Sequence, residues 1–70
     1  MNTYEVILEW YKNDVLINTQ NINYSSNSHK DCLESITTIA IKLLKQFDNE
    51  CVINAYTNCQ PEKKIYIGLQ

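Results

Sequence analysis

The sequence predicts an α+β domain in which four short strands and one helix follow the order strand, strand, helix, strand, strand. The stretch from Ser28 to Asp48 repeats apolar residues with the period of a helix. The stretches before and after it alternate apolar and polar residues, as half-buried strands do. Because 70 residues leave room for one hydrophobic core, we expect a single small domain over residues 1–70, with the helix packed on one face of a four-stranded sheet.

The predicted helix has favourable residues at both ends and a wide apolar face. Ser28 suits the N-cap position, and Asp31 follows three residues later, as in a capping box. Lys45 lies near the C-terminus, where a cation is favourable to the helix dipole, and Asp48-Asn49 marks the stop. We expect the buried face to consist of Cys32, Leu33, Ile36, Ile39, Ala40, Leu43, Leu44 and Phe47.

The segment from Thr3 to Tyr11 predicts the first strand, because its residues alternate strictly between apolar and mostly polar. Its apolar side is expected to pack against the helix through Tyr4, Val6, Leu8 and Trp10. Lys12-Asn13-Asp14 then predicts a tight turn, since Asn and Asp tolerate the positive φ of short hairpins.

The second strand runs from Val15 to about Tyr24, and its polar content indicates an edge strand. Its register stays open. A two-residue turn puts Ile17 inward, whereas a three-residue turn puts Leu16, Ile22 and Tyr24 inward, because a slip of one residue exchanges the two faces.

Two further strands follow the helix. The segment from Cys51 to Thr57 alternates, with Ile53 and Ala55 on its apolar side. A turn is expected from Asn58 to Glu62, around Pro61. The last strand runs from Lys64 to Leu69, and its inward residues are Ile65, Ile67 and Leu69.

Two strand orders fit this succession. The first and last strands are the most consistently apolar on one face, so we favour a sheet in which both are central, with the order 2-1-4-3. This order resembles the β-grasp of small immunoglobulin-binding bacterial domains, in architecture only, and no binding residue follows from it. The antiparallel order 2-1-3-4 obeys the same crossover rules.

Composition restricts the source and the compartment. The net charge is −2 and 44% of the residues are hydrophobic, as in a globular domain. Every basic residue is lysine, and asparagine and isoleucine are abundant, which is typical of AT-rich coding in low-GC bacteria and their phages. Three cysteines without a framework spacing, together with the lack of a signal peptide or apolar span, predict a cytoplasmic protein with free thiols and no membrane contact.

Two candidate chemistries lack the residues they need. The run Tyr56-Thr57-Asn58 is similar to a strand end of ribonuclease H-type nucleases, but Asn58 stands where that family has a metal-binding Asp. His29, Cys32, Cys51 and Cys59 are candidate zinc ligands, but the cysteines lack the close pairing of structural zinc sites. We therefore predict no enzymatic activity, no metal and no cofactor.

Nucleic acid is a disfavoured partner. The lysines are few and dispersed, and without arginine the chain has no bidentate reader of phosphates or bases. The open face of the predicted sheet also carries Glu5 and Glu9, where an RNA-binding sheet needs neutral or basic residues.

The sheet face opposite the helix is the candidate working surface. Exposed tyrosines with isolated charges are typical of protein-binding surfaces, although tyrosine and valine also favour strands on their own account. The residues expected on this face are Glu5, Ile7, Glu9, Tyr11, Val52, Tyr56 and Tyr66.

The sequence thus favours a small non-catalytic protein-binding module. Its size and composition suggest a phage or mobile-element product, and one hypothesis is an anti-CRISPR-like inhibitor of a bacterial defence complex. The alternatives are a homodimeric structural or regulatory protein and, less favoured, a nucleic-acid-binding protein.

Overall fold

The computed structural model describes residues 1–69 and contains one four-stranded antiparallel sheet with one helix against it. The α+β class and the order of elements along the chain are confirmed. The elements are β1 (Asn2–Lys12), β2 (Val15–Ser26), α1 (His29–Phe47), β3 (Val52–Thr57) and β4 (Gln60–Gly68).

The strand order in the sheet is β2-β1-β3-β4, with every neighbouring pair antiparallel. Of the two predicted orders this is 2-1-3-4, so the favoured β-grasp-like order 2-1-4-3 is wrong. The helix covers all four strands, the edge strands included. An inward apolar residue such as Ile67 therefore shows that its strand lies under the helix, and it does not show that the strand is central in the sheet. Pro61, Lys63 and Lys64 suit the edge position that β4 takes, because proline and charged residues are tolerated on an edge.

The β1–β2 hairpin combines the two registers that the sequence left open. Asn13 and Asp14 both have positive φ, 52° and 64°, and form a two-residue turn that pairs Lys12 with Val15. The register then shifts between Trp10 and Tyr11, so that one extra residue of β2 is accommodated in a β-bulge.

This bulge determines which residues of β2 face the helix. Leu16 pairs with Tyr11 on the open face, so its inward placement is wrong. Beyond the bulge, Ile22 pairs with Val6 and Tyr24 pairs with Tyr4. Ile22 and Tyr24 pack against the core, as the register with a three-residue turn predicted.

The helix begins and ends where the sequence predicts. Ser28 is the N-cap, and its Oγ accepts a hydrogen bond from the Asp31 backbone N–H at 3.1 Å. Asp48 is the C-cap, in an extended conformation. Its carboxylate accepts a hydrogen bond from the Lys12 ammonium at 3.2 Å, which ties the helix end to the hairpin.

The helix buries one narrow line of side chains and half-buries its flanks. The fully buried residues are Cys32, Ile36, Ala40 and Leu44. Leu33, Ile39 and Leu43 are half-buried, so their full burial was overestimated. Phe47 is 69% exposed and its predicted burial is wrong, because this last residue of the helix lies over an open groove beside Trp10 and Cys51.

The helix and the inward residues of the sheet form one core. Its sheet side consists of Val6, Leu8, Trp10, Cys51, Ile53, Ala55 and Ile67, with Tyr4, Ile22, Tyr24, Ile65 and Leu69 packed around them. The indole N–H of Trp10 donates to the Gln20 amide oxygen at 2.7 Å, so this large side chain is buried with its polar atom satisfied.

The connection between β3 and β4 is shorter than predicted. Only Asn58 and Cys59 form the turn, and β4 already begins at Gln60. Pro61 therefore lies inside an edge strand and does not belong to the loop.

Candidate functional site

The sheet face opposite the helix, called the open face here, carries all seven residues that the sequence proposed for a working surface. Their chain neighbours Val6, Leu8, Ile53 and Ala55 are buried under the helix, and successive side chains of a strand point to opposite faces. The seven residues are Glu5, Ile7, Glu9, Tyr11, Val52, Tyr56 and Tyr66.

Strand pairing brings apolar residues of the open face into one row across the whole sheet. Leu16 of β2 pairs with Tyr11 of β1, Tyr11 pairs with Val52 of β3, and Val52 pairs with Gly68 of β4. Sequence reasoning missed Leu16, although the Asn13-Asp14 turn contained the signal, because a two-residue turn puts Leu16 opposite Tyr11.

Gly68 keeps this row open at the outer edge. A Cβ atom at this position would lie 3.1 Å from Val52 Cγ1, closer than ordinary van der Waals contact. The missing side chain leaves room beside Val52, and the Tyr66 ring lies against the same space, 3.8 Å from that Cβ position. Tyr66 itself is 71% exposed, which makes it the most accessible aromatic side chain of the face.

A small polar group lies at the centre of the open face. The Glu9 carboxylate accepts hydrogen bonds from the Tyr56 hydroxyl at 3.4 Å and from the Lys64 ammonium at 3.5 Å. The same ammonium lies 5.0 Å from the centre of the Tyr56 ring, within the range of a cation–π contact. The Glu9 side chain is only 15% exposed, so its charge is compensated within the face.

The open face is therefore aromatic and nearly neutral. Ile7 pairs with Tyr56 next to the Glu9–Lys64 ion pair, and Glu5 lies towards the start of β1, beside Asn23. An arrangement of this kind can bind another surface by shape and apolar contact.

A second polar group joins the start of the helix to the end of β3. His29 Nε2 and Thr57 Oγ1 are 2.6 Å apart, and Thr57 Oγ1 and Cys59 Sγ are 3.2 Å apart. The Tyr4 ring meets the imidazole edge to face, with centroids 5.5 Å apart. Because Thr57 stands between the imidazole and the thiol, His29 is not placed to take the Cys59 proton directly, and the contacts fasten the helix to the sheet.

Two of the three cysteines lie in the core. Cys32 and Cys51 are buried, Cys59 is exposed, and all three are free thiols. Burial raises the pKa of the Cys32 and Cys51 thiols, so both are held in the neutral form. Within residues 1–69, the structure does not bring three His, Cys, Asp or Glu side chains together in a way that could hold a metal ion.

Two grooves flank the helix. A groove of about 340 Å³ lies beside its first half, between His29, Leu33 and the β4 residues Lys63 and Ile65. Another, of about 250 Å³, lies at its C-terminal end and is lined by Trp10, Ile17, Gln20, Phe47 and Cys51. Both are shallow surface features that open to solvent.

No helix in the described part of the chain is long and apolar enough to cross a membrane. Comparison of the sequence with protein-family models and with curated proteins, and of the structure with solved structures, gives no match.

Proposed function

We propose that this chain is a small non-catalytic module that binds another protein through the open face of its sheet. The observation that carries the proposal is the continuous row of Leu16, Tyr11 and Val52, next to the highly exposed Tyr66. Large apolar and aromatic side chains that are contiguous and accessible are typical of protein interfaces, whereas isolated ones are ordinary.

The charge of the face indicates what kind of surface would fit it. Lys64 compensates Glu9, so the centre of the face offers aromatic rings and hydroxyl groups without a net charge. Its complement is an uncharged protein surface of mixed apolar and polar character. A phosphate backbone is a poor complement, because the only basic side chain at the centre is already engaged by a carboxylate.

A finer form of the proposal concerns the biological role. A short, lysine-only chain rich in asparagine and isoleucine fits a phage or mobile-element product acting in the bacterial cytoplasm, and blocking a defence complex in an anti-CRISPR-like manner is one role for such a binder. This form rests on size and composition, whereas the binding surface rests on geometry.

The test compares three baits in lysates of low-GC bacteria: the wild-type protein, Tyr66→Ala and Phe47→Ala. Phe47 is the matched control, since its side chain is 69% exposed but belongs to the helix end. We expect a protein that is retained by the wild type and by Phe47→Ala and is bound roughly 30-fold more weakly by Tyr66→Ala, the effect of losing an aromatic anchor of about 2 kcal/mol.

Other results would contradict the proposal. A partner lost with Phe47→Ala and kept by Tyr66→Ala would move the interface to the helix end. Binding that weakens steeply with added salt and survives both substitutions would indicate a nucleic acid, because phosphate contacts depend on counterion release.

A further inference from the structure

The two outer strands of the sheet differ in their protection against pairing with another chain. The edge strand β4 contains Pro61, Glu62, Lys63 and Lys64, and its register is irregular near the turn. Proline, charges and irregular pairing are the features that keep an edge from adding a strand. The edge strand β2 has 12 residues and contains no proline, no glycine and no charged side chain.

The backbone of β2 turns a regular row of groups towards solvent. The Asn58 N–H donates to the Glu5 carbonyl at 3.0 Å, so the backbone groups of Glu5 point towards β3 and away from β2. Glu5 pairs with Asn23, and the backbone groups of Asn23 must therefore point outward, because opposite residues in an antiparallel pair either both bond to each other or both face away.

Alternation extends this result along the strand. If Asn23 faces outward, so do Thr19, Asn21 and Ser25, while Gln20 and Ile22 bond to β1. The side chains of the four outward residues are short, uncharged and exposed. At the start of the strand, Val15 and Ile17 are 60% and 53% exposed, which adds apolar surface to the same edge.

We propose that the outer edge of β2 pairs antiparallel with β2 of a second copy of the chain, giving a two-fold symmetric dimer. A strand without charges meets itself without repulsion, so its own copy is a suitable partner. The contact is isologous and therefore closed, and the protected β4 edge offers no site for further growth. Two four-stranded sheets thus join into one sheet of eight strands.

The geometry fixes how the two copies meet. Between Thr19 and Ser25, beyond the bulge, the outward backbone groups belong to the odd-numbered residues. Odd residues of this segment therefore pair with odd residues of the partner, for example Asn21 with a residue such as Thr19 or Asn23. Because the odd residues of this segment also carry side chains of the open face, the two-fold axis stands perpendicular to the sheet. Both helices lie on one side, and the two open faces become one continuous surface on the other.

The first test measures molar mass by light scattering from low micromolar to several hundred micromolar protein. We expect a monomer–dimer equilibrium in the wild type. Asn21→Pro removes an N–H that faces outward and leaves the bonds to β1 in place, so it should weaken dimerisation about tenfold or more, since it acts once in each copy. Tyr66→Lys is the matched control and should leave the equilibrium unchanged, because Tyr66 lies on β4.

A second variant covers the case in which Asn21→Pro does not fold. Thr19→Lys with Asn23→Lys keeps the backbone unchanged and puts like charges from both copies along the shared edge, so the folded variant should be a monomer. The edge variants and Tyr66→Lys also separate this proposal from protein binding by the open face, since either one can fail while the other holds.

Amide hydrogen exchange gives a residue-by-residue signature. On raising the protein concentration, exchange should slow at the outward amides of Thr19, Asn21 and Asn23 and stay constant at Gln20 and Ile22, which are bonded to β1 at every concentration. A monomer at all concentrations, a dimer that persists in both edge variants, a dimer broken by Tyr66→Lys, or assemblies larger than two copies would overturn the proposal.

Discussion

The two faces of the sheet are built from alternate residues of the same strands, yet only one of them is closed. Leu8 and Ile53 on the helix side are completely buried, whereas Ile7 and Tyr56 on the open face are half-buried, with Tyr66 beside them largely exposed. All these side chains are apolar or aromatic. Coverage by the helix, and not the kind of residue, decides which of them stabilises the fold.

The polar contacts of Glu9 on the open face are longer than two of the contacts on the helix side. On the helix side, Trp10 and Gln20 are joined at 2.7 Å, and His29 and Thr57 at 2.6 Å. On the open face, the contacts of Glu9 with Tyr56 and Lys64 are 3.4 Å and 3.5 Å long. Longer, partly solvated contacts are weaker, so the open face can exchange its internal contacts for those of a partner at small cost to the fold.

The largest expected difference between the faces is in stability after truncation. Leu44 is fully buried near the C-terminal end of the helix, and Leu44→Ala should lower the free energy of unfolding by about 2–5 kcal/mol through lost burial and a cavity. On the open face, Tyr66→Ala should change it by no more than about 0.5 kcal/mol. Urea unfolding of both variants measures the contrast, and equal losses would show that the faces are not energetically distinct.

A smaller effect is expected from two neighbouring residues of β2. Gln20→Ala leaves the Trp10 indole N–H without its acceptor in a largely buried site, which should cost about 1–3 kcal/mol. Asn21→Ala, one residue further on the opposite face, should cost less than about 0.5 kcal/mol. Chemical denaturation in dilute solution checks this. A larger loss in Asn21→Ala than in Gln20→Ala would contradict the register of the hairpin.

The smallest effect concerns alkaline pH. Burial raises the pKa of Cys51 above its ordinary value, so the folded state holds the proton more tightly than the unfolded state. This stabilisation is fully present below the unfolded thiol pKa of about 8.5 and is lost as the pH rises through the higher folded value. We therefore expect urea midpoints to fall from neutral pH towards about pH 10.

Cys51→Ala is the control for this pH dependence, because it removes the titrating group from the core. Its absolute stability should be lower, but its midpoint should fall less steeply with pH than that of the wild type. Cys59→Ala should leave the slope unchanged, since Cys59 is exposed. Identical slopes in the wild type and in Cys51→Ala would show that the buried thiol does not contribute.

Local sequence was sufficient to predict most of the elements and the members of the open face. Ser28 caps the helix, and Asn13 and Asp14 form the turn. Strict alternation in β1 places the side chains of Trp10 and Tyr11 on different faces of the sheet. Each of these depends on a few neighbouring residues, whose backbone preferences and side-chain directions are set within one turn of helix or a few residues of strand.

The features that the sequence did not predict depend on contacts between distant segments. The position of β3 beside β1, the bulge that sends Ile22 inward, and the exposure of Phe47 all follow from how the helix and strands fit together. Sequence alone determined the strands, the helix and the two sides of β1, β3 and β4, but not the two sides of β2. Only the tertiary structure decided which strands became edges. Strand order depends on packing across the whole sheet, and no single segment of the sequence contains that information.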